Sequence, residues 1–177
     1  LTAQGIIRRA TRTVYDYPRH HHLIGICSPL QKEVLDAIKR WTGERIWPTG
    51  ASAANMIGIT TQVPAKPAYV TTGKPRNIVF LKSGYTIQLR EMTMPKTLTR
   101  PIAYLVLAGL DNMGSRCVGQ RMIDIAAKHL TPDDKKDIEQ NLPHIQDPWL
   151  ADIAGQLLAW EKPLWVRDLD EDPYYSN

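Results

Sequence analysis

Gly5-Ile6-Ile7-Arg8-Arg9-Ala10-Thr11-Arg12-Thr13-Val14-Tyr15-Asp16-Tyr17-Pro18 is the stretch that decides how this 177-residue chain is read. Two β-type runs, Ile6 to Ala10 and Thr13 to Tyr17, flank a short polar link, a pattern that predicts a hairpin. Arg8, Arg9 and Arg12 stand near its tip. Their planar guanidinium groups match phosphate oxygens and guanine edges better than other side chains do. Alternation along a strand puts Arg8 and Arg9 on opposite faces. One of the two is therefore expected to face a duplex together with Arg12, and the other to support a carboxylate such as Asp16.

A basic hairpin of this kind has the form of the wing of a winged helix-turn-helix. The chain opens at Leu1, without Met and without room for the helices that precede a wing. The reading therefore places its start inside a DNA-binding domain. The net charge of +4 conceals a gradient along the chain. Residues 1–100 carry 15 Lys/Arg against 5 Asp/Glu, and residues 101–177 carry 7 against 13. A basic surface for a polyanion is expected in the first half, and the clustered arginines tip that expectation toward nucleic acid.

The composition, 43% hydrophobic and 23% charged, is that of a globular domain. No apolar run approaches the ~20 residues that span a bilayer, and no signal-peptide pattern opens the chain. Cys27 and Cys117 are read as two reduced, buried thiols of a cytoplasmic protein.

The segment Arg19-His20-His21-His22-Leu23-Ile24-Gly25 is expected to be an exposed linker. Its adjacent histidines alternate in direction and lack a second ligand cluster, so no metal site is read there. Ser28-Pro29 opens a helix whose stripe of Leu30, Val34, Leu35, Ile38 and Trp41 ends at Gly43. Arg45 to Trp47 reads as a short strand ended by Pro48, and Thr49 to Gly58 as a small-residue helix. Ala68 to Thr71, Asn77 to Leu81 and Tyr85 to Glu91, separated by Gly-containing turns, predict an antiparallel β unit. From Pro101 the period becomes helical. Ile102 to Leu110 is apolar all round and so buried, Cys117 to Leu130 is amphipathic, and Thr131-Pro132 and Asp147-Pro148 open two further helices. The fold class is therefore α+β, a wing hairpin followed by a small antiparallel or mixed sheet and C-terminal packed helices. The expected divisions are a wing over 1–19, an α+β domain over 28–166, and an acidic tail over 167–177.

Two segments together resemble the AbiEi-like antitoxins, transcriptional regulators of bacterial type IV toxin–antitoxin and phage-defence loci. One is Gly5-Ile6-Ile7-Arg8-Arg9 with Tyr15-Asp16-Tyr17-Pro18. The other is the long run from Pro48-Thr49-Gly50-Ala51-Ser52-Ala53-Ala54-Asn55-Met56-Ile57-Gly58 through Ile59-Thr60-Thr61-Gln62-Val63-Pro64-Ala65-Lys66, with Tyr69 and Thr71-Thr72-Gly73. The match covers the first half of the chain closely and the C-terminal helices loosely. The resemblance implies a winged-helix domain that represses its own promoter and a C-terminal domain that neutralises a nucleotidyltransferase-like toxin encoded next door.

On this reading Arg8, Arg9, Arg12 and Thr13 are the candidate contacts to double-stranded DNA. The β unit offers Lys74, Arg76, Lys82 and Arg90, with Lys66, as candidate contacts to a partner protein, and a solvated sheet face is the alternative. Asn55 and Gln62 are expected to satisfy backbone groups where the loop leaves the small-residue helix. No Gly-rich phosphate loop, nucleophile elbow or metal-type His/Cys spacing is present in the sequence. Neither catalysis, nor a cofactor, nor a metal, nor a membrane is therefore expected. A metal-dependent nuclease would need carboxylates converging beside a lysine, and the β unit offers only Glu91. The alternatives to a DNA-binding antitoxin are a protein-interaction module without DNA binding and, behind it, such a nuclease.

Overall fold

The opening hairpin forms, although its strands are shorter than the sequence suggests. In the computed structural model, which describes residue 2 and residues 6–162, β1 (Arg8–Arg9) pairs antiparallel with β2 (Tyr15–Asp16). The register sets Arg8 opposite Asp16 and Arg9 opposite Tyr15. The expected linker is instead a second small hairpin, in which β3 (His20–His21) pairs with β4 (Gly25–Ile26). The acidic tail over 167–177 lies outside the described residues.

The fold is α+β, and the chain divides into two compact units. The first comprises residues 1–46 and 69–91, the second residues 47–68 and 92–177.

In the first unit, α1 (Gln31–Thr42) begins three residues after Ser28, behind an extended Leu30 that makes no side-chain cap. It ends where the Gly43 N–H bonds the Lys39 carbonyl at 2.9 Å. Only its middle turns are buried, through Val34, Leu35 and Ile38. β5 (Ile46–Thr49) has only Ile46 in this unit, and it runs through Pro48 rather than stopping there. After α2 (Ala51–Met56) of the second unit come β6 (Ala68–Thr71), β7 (Arg76–Val79) and β8 (Thr86–Glu91).

β8 lies between β6 and β7, and β7 forms the edge. The β7–β8 pair is antiparallel, with Ile78 opposite Ile87, but β6 and β8 run parallel, with Tyr69 opposite Leu89. The sheet is thus mixed. A turn after Thr71 fits a local hairpin as readily as a crossing, and sequence alone does not separate the two. Ile78, Ile87 and Leu89 point to one face and meet Val34, Leu35 and Ile38 of α1. Ala10 and Val14 of the opening hairpin join that same core, and the Leu81 N–H donates to the Ala10 carbonyl at 3.0 Å. The hairpin is therefore an integral part of the first unit.

In the second unit, α3 (Pro101–Met113) is buried continuously from Ala103 to Leu110, as its unbroken apolar character requires. Around it stand α4 (Gln120–Ala127), α5 (Pro132–Asn141), a 3-10 turn (Leu142–His144) and α6 (Pro148–Leu158). Gly109 lets α2 and α3 approach closely, since a Cβ there would lie 2.7 Å from Ile57 Cδ1 and 3.1 Å from Ala54 Cα. Asn55 Nδ2 donates to the Thr60 carbonyl at 3.2 Å, a backbone-satisfying role.

Thr131 and Asp134 form a capping box at the start of α5. α3 has no side-chain cap of its own. The N–H groups of the two residues just before it, Thr99 and Arg100, donate to Asp137 Oδ2 at 2.8 and 2.7 Å and so fix the entry to the helix. Cys27 is half-buried and Cys117 exposed, so the expectation of two buried thiols fails at Cys117. Among the described residues no helix is long and apolar enough to cross a membrane.

Candidate nucleic-acid interface

The tip of the first hairpin is held by its own threonine. Thr11, buried, accepts on Oγ1 from the Val14 N–H at 3.1 Å and the Thr13 N–H at 3.3 Å, which leaves Arg12 and Thr13 exposed at the apex. Arg9 Nη2 donates to the Arg12 carbonyl at 2.5 Å and braces the turn while staying exposed. That acceptor is neutral, so the bond leaves the Arg9 charge uncompensated.

Arg8 behaves differently. Its Nε and Nη2 donate to the two carboxylate oxygens of Asp16 at 3.0 and 2.5 Å, and its side chain is only 11% exposed. The hydrogen bond to Asp16 raises the Arg8 pKa further above its ordinary value. Of the expected DNA contacts, Arg8 is thus the one spent on an internal ion pair, and Arg9, Arg12 and Thr13 remain at the surface.

Arg12 and Thr13 border a groove of about 730 Å³ whose other walls come from the end of α1 and from β7 with the turn before it. Lys74 and Arg76 line it as well. Four residues singled out by sequence, from two segments more than sixty positions apart, therefore share one recess. Two others do not. Lys82 shares a shallow notch with Arg9, and Arg90 stands exposed on β8 with its Nε donating to Gln88 Oε1 at 3.2 Å.

The groove also contains residues that the sequence did not flag. Glu44 anchors its floor. Both carboxylate oxygens accept from Arg76, through Nη1 at 2.9 Å and through Nη2. The Thr71 hydroxyl donates at 2.5 Å, and the Thr42 hydroxyl lies 2.9 Å away. The Arg76 hydrogen bond leads these in pulling the Glu44 pKa down to about 2, so the carboxylate stays ionised and paired. Its side chain is 6% exposed and that of Arg76 36%. Gly73 permits this approach, because a Cβ there would lie 2.3 Å from Glu44 Oε2.

Trp41 is the second unflagged residue. The helical stripe assigned it to the core, yet it is 74% exposed and lines the groove, since α1 has left the sheet by its last turn. Its only sequence signal is its place beside the Gly43 stop. Among the described residues, Arg9, Arg12, Lys74 and Lys82 have no carboxylate partner. No group of three His, Cys, Asp or Glu among the described residues is placed to hold a metal ion.

A family profile described as "Family of unknown function (DUF6088)" matches residues 1–138. The chain belongs to this family. The DUF6088 match takes in the opening hairpin, the groove and the sheet, and runs to within the fifth helix. Neither the curated proteins nor the solved structures contain a match to the chain.

Proposed function

We propose that this DUF6088 protein is a DNA-binding antitoxin and autorepressor of a bacterial toxin–antitoxin or phage-defence locus. It acts in the cytoplasm by occupying its own operator, with no cofactor and no chemistry of its own. The observation that carries the reading is a set of uncompensated cations: Arg12 at the apex of the hairpin, Arg9 on β1, Lys74 in the groove that Arg12 borders, and Lys82 in the separate notch it shares with Arg9. Such cations bind phosphate in a sequence-independent way, and each phosphate neutralised adds about −0.9 to the slope of log affinity against log salt. The antitoxic half of the proposal, neutralisation of a nucleotidyltransferase-like toxin, rests on the resemblance to AbiEi-like antitoxins. A mobility-shift titration of the whole protein on its own promoter tests the DNA half. A specific shift that weakens linearly with log salt supports it, and no specific shift at low salt overturns it.

A second reading, a protein-interaction module without DNA binding, is favoured by the Arg8–Asp16 pair, which shows that arginine in this hairpin also serves the fold. It predicts that the chain rescues cells from a co-expressed toxin even after Arg9 and Arg12 are replaced by alanine.

A further inference from the structure

The geometry points to an unpaired nucleotide as a ligand of the groove beside the hairpin, its base stacked on the Trp41 indole and its phosphate met by Arg12 and Lys74. This goes beyond duplex gripping by the hairpin tip and does not depend on it. Trp41 presents most of its surface to solvent at the end of α1, within a recess lined by cations. A base inside a duplex already has both faces stacked, so the indole can stack only on a base that is out of the stack.

Every part such a site needs lines the same groove. The cations Arg12 and Lys74 have no acidic partner among the described residues. The acid in the lining, Glu44, is nearly covered and bound on both oxygens by Arg76, so it leaves little field to repel a phosphate. The exposed side chains of Asn77 and Thr13 supply an amide and a hydroxyl for the edge of a base. The volume, about 730 Å³, falls within the range of small-molecule sites. Stacking accepts any base and the cations accept any phosphate, so the site selects unpaired nucleotides without reading sequence.

The ligand could be one residue of a single strand or a free nucleotide, and the experiment separates these sources. Fluorescence anisotropy of the full chain is titrated with a labelled oligothymidylate of roughly ten residues, with a duplex of equal length, and with unlabelled adenosine monophosphate as competitor. Trp41→Ala is expected to weaken single-strand binding by about tenfold or more, whereas Trp41→Phe keeps most of it. Duplex binding should change less than about twofold in Trp41→Ala. The pair Arg12→Ala and Lys74→Ala should lower the salt slope, and Trp41→Ala should leave it unchanged. Competition by adenosine monophosphate that disappears in Trp41→Ala assigns the site to a free nucleotide. Single-strand binding without such competition assigns it to a strand. Absence of both kinds of binding in the folded chain, or binding indifferent to Trp41→Ala, overturns the proposal. A missing duplex shift alongside Trp41-dependent single-strand binding would sink the operator reading and leave this one standing.

Discussion

The first unit contains 12 lysines and arginines against 5 acidic residues, the second 10 against 13, and the two use their acids in different ways. In the first, Asp16, Glu33, Asp36 and Glu44 are each tied to a cation: Arg8, Arg19, Lys39 and Arg76. In the second, the carboxylates of Asp134, Asp137 and Asp147 accept backbone N–H groups at helix starts, and Arg100 adds an ion pair to Asp134. One unit uses carboxylates to compensate some of its cations and leaves others, Arg9, Arg12, Lys74 and Lys82 among them, at the surface. The other uses them to complete helices around an apolar centre. Surplus charge and buried packing are thus concentrated in different parts of the sequence, and substitutions should separate them.

The largest effect is expected in the helical unit. Leu107 has no exposed surface, and Leu107→Ala should lower stability by about 2–5 kcal/mol in urea denaturation, through lost apolar burial and the cavity left behind. Asp137→Ala comes next. It strips the Thr99 and Arg100 N–H groups of their acceptor and should cost about 1–3 kcal/mol in the same measurement, with no change in DNA affinity. In the basic unit the order of effects reverses. The pair Arg9→Ala and Arg12→Ala should leave the melting temperature nearly unmoved while reducing the magnitude of the salt slope of duplex binding by up to ~1.8, read by mobility shift across a salt series. A large stability loss from that pair would merge the two behaviours and defeat the contrast.

The smallest effect appears only in acid. Glu44 has a folded-state pKa near 2, below its ordinary 4.5, so its contribution is fully present above about pH 4.5 and is lost as pH falls toward 2. Stability measured from pH 5 down to pH 2 should fall less steeply in Glu44→Gln than in the native chain.

The sequence made the helices legible where apolar spacing and stop signals agree. The buried run of α3, the Thr131 capping box and the Gly43 stop all follow from rules acting within a few residues. It did not yield the parallel β6–β8 pairing, because strand direction depends on contacts between segments far apart in the chain. Ser28 as the start of α1 failed for a local reason, since the chain stays extended through Leu30. At the groove, Arg12, Thr13, Lys74 and Arg76 were visible as residue types, but their convergence was not. Glu44 and Trp41 escaped notice because one looked like an isolated acid and the other like the end of a core stripe. Periodicity reports which side of a helix a residue occupies, not whether that turn still touches the sheet.

The Asp137 carboxylate at the start of α3 also bears on how the protein is made. The helix with the longest buried run is entered through two N–H groups whose acceptor lies 37 positions beyond Arg100. A nascent chain that has not reached Asp137 leaves those donors to water and the apolar flank of α3 without α5. The entry to α3 is therefore completed only once α5 has been made, and until then the helix also lacks one of the helices that pack on it.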